Sequence, residues 1–307
     1  MTSEPTDFRE SAVRRFRRRL GWAVRDLRPT RPVVREVQGV RMVMPWSHRL
    51  PDYTRGDSPY GQNLVDLAVR LTRDEPLVVL DIGSNIGDSA LQIAHATDAF
   101  VVCVEADPYY LGFLRRNTRD DPRFEIEAAL LVPDASEADA ARRAVRIGGT
   151  TRFVEDADAP DSSPAVTPPQ LRERHPRTNR LRLVKSDTDG YDVAIVPAVA
   201  REWSDRKPVL FFEYDPATTR AAGHDPIAVW GELAALGYRD VAVWGNGGHP
   251  LWRADVTEMA VASRVLDAPK QRYDPTYWDV AVVHADDESG HAAIKALVPS
   301  VRSPEPA

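Results

Sequence analysis

The chain has little of what several large protein classes require. One cysteine, Cys103, stands in 307 residues, so no internal disulfide is available, and no His/Cys pairs stand at zinc-finger spacing. That usage fits a reducing, cytoplasmic compartment. No apolar run approaches the roughly 20 residues of a membrane span, and arginines occupy the N-terminal stretch where a signal peptide needs an apolar core. Positive charge is not in excess: 40 Lys+Arg against 46 Asp+Glu leave a net charge of −6, which argues against a nucleic-acid partner. Lysine is scarce, with only Lys185, Lys207, Lys270 and Lys295, a bias that says little about mechanism. What remains is 43% hydrophobic and 28% charged, the composition of a folded chain of one or two domains.

Residues Phe8 to Leu27 repeat apolar side chains at four-residue intervals among arginines and read as a basic amphipathic helix, which either packs one stripe on the body or docks on an acidic partner or anionic surface. Val33 to Pro45 alternates as a hairpin would, with Gly39 as the turn, so residues 1–43 form an N-terminal extension. Residues 44–75 follow as a substrate-side cap: the Pro-, Gly- and Tyr-rich WSHRLPDYTRGDSPYGQNL reads as a loop, and Asn63 to Arg73 as a helix. From residue 76 to 286 buried strands alternate with helices, which means an α/β doubly wound, mostly parallel sheet with helices on both faces. Strands are expected at Leu77–Leu80, Phe100–Val104, Phe124–Leu131, Leu181–Ser186, Val209–Glu213, Asp240–Trp244 and Trp278–His284, with His249–Arg253 a possible hairpin return. Residues 133–179 interrupt the pattern and read as an insertion or lid, mobile over Glu155–Pro169, and 287–307 read as a C-terminal tail.

The sharpest local signal is LVVLDIGSNIGDSALQIA. A buried strand ends at Asp81, and the turn from Gly83 through Asn85 to Gly87 leads into a helix whose first amides are free to meet a ligand. The dinucleotide fingerprint needs glycines at 83, 85 and 88, and this chain has Asn85 and Asp88. A pyrophosphate would also meet the Asp81 and Asp88 carboxylates, whereas S-adenosylmethionine carries a sulfonium and no phosphate. Glu105 ends the next strand, placed to accept hydrogen bonds from ribose hydroxyls, with Asp107 as the reserve.

Three blocks, VLDIGSNIGDSA, LVKSDTDGYDVAIV with KPVLFFEYDP, and MPWSHRLPDYTRGDSPYGQNL, resemble the FkbM-type family of S-adenosylmethionine-dependent methyltransferases over roughly Met44 to Asp286. The middle block carries Asp-Thr-Asp-Gly-x-Asp where many relatives have Asp-x-Glu-Gly-x-Glu. The resemblance implies a class I methyltransferase fold with a seven-stranded sheet, and O-methylation of a hydroxyl on a sugar or secondary metabolite.

Candidates for the chemistry lie at strand ends: Asp187, Asp189 and Asp192 after one strand, Glu213 and Asp215 after another. Upstream, His48 suits proton transfer. The catalytic set is therefore His48, Asp187 and Asp189. Cofactor contacts are expected from Asp81, Gly83, Asn85, Gly87, Glu105, Asp107 and Asp187, and acceptor contacts from Arg49, Tyr53, Tyr60, Glu213 and His224. A divalent metal is not favoured, since no histidine adjoins these acids; its ligands would be Asp187, Asp189 and Glu213. The partner expected is a small-molecule hydroxyl acceptor. An NAD-linked oxidoreductase or epimerase and a non-catalytic binding module are the competing readings. The acceptor's identity and the oligomeric state stay open.

Overall fold

A computed structural model describes residues 30–72, 76–137, 142–147, 150–155, 163–268 and 276–302; the basic helix expected at Phe8–Leu27 lies outside the described residues. In chain order the strands are β1 (Pro32–Val37), β2 (Val40–Pro45), β3 (Val78–Ile82), β4 (Phe100–Val104), β5 (Phe124–Glu127), β6 (Leu130–Leu131), β7 (Arg142–Ile147), β8 (Thr150–Glu155), β9 (Ala165–Val166), β10 (Leu183–Ser186), β11 (Val209–Tyr214), β12 (Tyr238–Gly245), β13 (Pro250–Asp255) and β14 (Trp278–His284).

The central sheet runs β13-β12-β14-β11-β10-β3-β4-β5. The five strands from β11 to β5 are mutually parallel, while β14 runs antiparallel between β11 and β12, and β13 closes the edge antiparallel to β12. Every residue of β3 and β4 is buried, which is why these central strands appear in the sequence as unbroken apolar runs. Their alternate side chains feed two cores: Val78, Leu80 and Ile82 face one layer of helices, Leu77 and Val79 with Val101 and Cys103 the other. The chain leaves β3 through β4 to β5, then returns to the other flank of β3 with β10 and β11. Strand order therefore reverses between β3 and β10, and open α/β sheets bind ligands at the carboxyl ends of strands at such a switch point.

The sheet has eight strands instead of seven, because the hairpin return pairs with β12 as a full edge strand. The expected strand Phe124–Leu131 divides: β5 stays in the sheet and β6 leaves it to pair with β9. Part of the supposed mobile insertion is packed. Residues 156–162 lie outside the described residues, but Val166 is 0% exposed, and a capping box between Thr167 and Gln170, with Pro168 at the first turn, starts the helix Pro168–Arg174. The rest of the insertion includes the antiparallel β7–β8 hairpin. Within the expected loop, Leu50–Tyr53 forms one helical turn. The supposed tail carries the helix Glu288–Leu297, capped by Asp287 and buried through Ala293 and Ile294.

The N-terminal hairpin turns on Gln38 (φ 50°) and Gly39 (φ 85°), the paired left-handed residues of a two-residue turn that matches strand twist. Asn117 fastens it to the body, accepting from the Val43 amide at 2.7 Å and donating to the Val43 carbonyl at 2.9 Å. Its tip reaches the cap: Gln38 donates to the Tyr60 carbonyl at 3.0 Å, and Gln92 donates to Gln38 Oε1 at 2.8 Å. A turn in the extension thereby holds a cap residue in place.

Candidate active site

Two cavities open at the carboxyl end of the sheet, one on each side of the switch point, and both are lined by Gly83, Asn85 and Asp187. Sheet register explains this meeting. Asp81, Lys185, Phe211 and Ala281 lie side by side across four strands. Two residues further toward the carboxyl edge, on the same face, come Gly83, Asp187, Glu213 and Asp279, the last two as direct partners across β11–β14. Lacking a side chain, Gly83 (φ +71°) lets the two loops touch: a Cβ there would stand 2.0 Å from the Asp187 carbonyl oxygen.

Beneath the loop, buried Asp81 pairs with Lys185 Nζ at 3.0 Å, and that ammonium also donates to the carbonyls of Gly83 (2.9 Å) and Ile82 (3.3 Å). Burial opposes the lysine's charge, but the Asp81 and Asp187 carboxylates outweigh it and raise its pKa. The pair braces the loop from behind and lies outside the first cavity.

The first cavity is lined by Glu105, Thr151, Thr188, Asp189 and the largely apolar stretch 129–133. Glu105 accepts the Asn85 amide at Oε2 and the Asp107 amide at Oε1, each at 2.7 Å, so it fixes both loops that flank it. Burial pushes its pKa up to about 7 against those two bonds. Asp107 sits behind. It caps the helix Pro108–Asn117 through the Tyr109 amide at 2.9 Å and anchors the β7–β8 hairpin through Arg146 and through Thr151 Oγ1 at 2.6 Å. Burial works to raise its pKa, but the bonds from Arg146, Thr151 and the Tyr109 amide hold it below the usual carboxylate range. The Thr188 hydroxyl is buried at this cavity with no hydrogen-bond partner within 3.5 Å among the described residues.

The second cavity has a different chemistry. Asp88, Asp187, Glu213 and Asp279 line it with Tyr60, Tyr277, His48 and Asn63. Burial and neighbouring carboxylates push the Asp279 pKa up to about 7 and Glu213 well above its ordinary value. Asn63 donates to Asp279 Oδ2 at 2.8 Å, whereas Glu213 hydrogen-bonds to no described residue. His48 is buried and its pKa lowered by that burial. Its Nδ1 accepts the Leu50 amide at 3.3 Å, which assigns the ring proton to Nε2, and Nε2 donates to Asn85 Oδ1 at 3.3 Å. Both ring nitrogens are thus engaged.

No family model and no curated protein matches this sequence. Among solved structures, the chain is similar to a precorrin-6y C5,15-methyltransferase from Geobacter metallireducens (15% identity, TM-score 0.36, 72% of this chain and 86% of that one). It is also similar to methyltransferase FkbM from Methylobacillus flagellatus (15% identity, TM-score 0.35, 67% of this chain and 43% of that one). A third is an rRNA methylase from Streptococcus thermophilus (11% identity, TM-score 0.39, 72% of this chain and 93% of that one).

Of the expected cofactor residues, Gly83, Asn85, Glu105 and Asp187 line the first cavity. Asp81, Gly87 and Asp107 do not: Asp81 is tied to Lys185, Asp107 to the hairpin, and Gly87 (φ +86°) starts a helix where a Cβ would stand 2.7 Å from Leu114. His48, Arg49, Tyr53, Tyr60, Asp187 and Glu213 line the second cavity. His224 does not; its ring stands against Tyr191 at 5.4 Å. Asp189, expected beside the chemistry, lines the first cavity and Glu213 the second, so the conditional metal set is not gathered. Among the described residues no group of three His, Cys, Asp or Glu side chains is placed to hold a metal, and no helix is long and apolar enough to cross a membrane. Asp279, Tyr277 and Asn63 escaped the sequence reading. The available signal was Asp279 itself, a lone acid inside the apolar run of β14.

Proposed function

We propose that the chain is an S-adenosylmethionine-dependent O-methyltransferase acting on a hydroxyl of a sugar or other small metabolite. The observation that carries the reading is the junction of two chemically different cavities at Gly83, Asn85 and Asp187. The first suits the cofactor. Each Glu105 oxygen accepts one backbone amide and has capacity for a second bond, from a ribose hydroxyl. The stretch 129–132 offers an apolar wall for adenine. Asp187, whose carboxylate hydrogen-bonds to no described residue, complements a sulfonium. When bound, the cofactor supplies the methyl group and its sulfur returns to a neutral thioether. A phosphate-bearing dinucleotide would face Asp187 and Asp189 along the same wall, which disfavours NAD.

In the second cavity Asp187 accepts the acceptor's hydroxyl proton at a carboxylate oxygen. His48 keeps Asn85 in its left-handed conformation (φ 52°) through the Nε2–Oδ1 bond and positions the loop instead of acting as base. The cap segment excludes water from the junction with Arg49, Leu50 and Tyr60. The acidic lining of this cavity favours a small acceptor over nucleic acid. Incubation with isotopically labelled S-adenosylmethionine and a metabolite panel, read by mass spectrometry, should yield an acceptor gaining one labelled methyl on oxygen. Label on carbon, on nucleic acid or on no compound would reject the assignment.

A further inference from the structure

The wall of the second cavity selects an acceptor by charge, an inference that rests on reading that cavity as the acceptor site. Register places Asp187, Glu213 and Asp279 on adjacent strands, about 4.8 Å apart along the sheet, with Asp88 facing the same space. The lysine on this face is already committed: Lys185 is held by Asp81 and two carbonyls. Burial lowers the His48 pKa, and Arg49 also lines this cavity, from the cap segment. Glu213 accepts no hydrogen bond from a described residue, and Asp279 accepts one, from Asn63. Two aromatic rings, Tyr60 and Tyr277, line the same cavity, and the nearby carboxylates raise both phenol pKa values in addition to burial. Carboxylates beside phenol rings, with the lysine of their own sheet face already spent, form the partner set of an organic ammonium.

We propose that the acceptor carries an amino group, as an amino sugar or amino alcohol, and that Glu213 and Asp279 hold its ammonium among Tyr60 and Tyr277 while its hydroxyl meets Asp187. One to two strand spacings, about 5 to 10 Å, separate the two ends, the span of a sugar ring and its substituents. The same wall turns away phosphate esters. Because burial, together with the neighbouring carboxylates, raises the pKa of both groups, an arriving ammonium should lower them, so amine uptake is coupled to proton release.

Calorimetry with glucosamine, glucose and glucose 6-phosphate, on ligand-free protein and on protein loaded with S-adenosylhomocysteine, tests this directly. Glucosamine should bind at least about 10-fold more tightly than glucose, with a heat that varies with the buffer's ionisation heat, and the phosphate should not bind. Glu213→Gln and Asp279→Asn should each lose about 10-fold of that preference and keep S-adenosylhomocysteine affinity within about two-fold. Equal binding of glucose and glucosamine, tighter binding of the phosphate, or no binding of glucosamine by either form would overturn the inference. Glucosamine binding without any S-adenosylhomocysteine binding would instead overturn the methyltransferase reading alone.

Discussion

The two sides of the switch point are built from the same residue types to opposite ends. On the Glu105 side the two acids that follow β4 have fixed partners: Glu105 holds two backbone amides, and Asp107 holds an arginine, a threonine and a helix N-terminus. On the Glu213 side the carboxylates face one another, Glu213 opposite Asp279, with a single amide between the two for a partner. The first arrangement is satisfied without a ligand and preorganises a cradle. The second is held under electrostatic strain that a bound ligand would relieve, the kind of local cost that folds tolerate at functional sites.

The contrast breaks most completely at the shared wall. Gly83→Val puts a side chain into the Asp187 carbonyl at a left-handed backbone position, and should remove cofactor-product binding and turnover together while lowering stability by about 3 kcal/mol, read by calorimetry and thermal melts. Asp187→Asn should separate chemistry from binding, with turnover falling about 10²- to 10⁴-fold and S-adenosylhomocysteine affinity moving less than about 10-fold. His48→Gln, which keeps a side-chain donor toward Asn85, should cost less than about 10-fold in turnover; a loss as large as that of Asp187→Asn would restore the histidine as base.

Stability should split Asp279 from Asp107 by sign. Asp279 has a folded pKa raised to about 7, so between its unfolded value near 4 and that point the native state binds the extra proton and stability falls as pH rises. Asp279→Asn removes that loss and should stabilise the protein by about 2 kcal/mol at pH 8, with the difference vanishing below about pH 4. Asp107 is the reverse case: its depressed pKa gives stability that is present above the unfolded value and is lost as pH falls through the folded one. Asp107→Asn should destabilise by about 1 kcal/mol at pH 7, a modest figure because Arg146 is 45% exposed. Chemical denaturation across that pH range measures both, and equal signs would erase the distinction.

Much of the first cavity was legible in the sequence because its signals are local. Gly83 and Glu105 are marked by strand ends and spacing, and the extension's hairpin by alternation around Gly39. The second cavity depends on pairing that composition does not encode: Asp279 meets Glu213 only because β14 enters antiparallel beside β11. Similar reasons lie behind the other departures. Strand β6 leaves the expected strand because β9 competes for it, and the segment after residue 163 folds around a single valine with a Thr-x-x-Gln cap that its acidic, proline-rich surroundings obscured. Histidine chemistry singles out His48 and His224, yet the Leu50 amide and Asn85 occupy His48, and His224 packs on Tyr191 and lines neither cavity itself.

Titration of the folded protein with S-adenosylhomocysteine, with Glu105→Ala alongside and NAD as the control ligand, tests the central assignment most directly. The wild-type chain should bind in the low-micromolar range, about −8 kcal/mol, the variant should bind about 1.5 to 3 kcal/mol more weakly, and NAD should give no heat. No binding by the wild type, unchanged affinity in a folded Glu105→Ala protein, or saturable binding of NAD would contradict it.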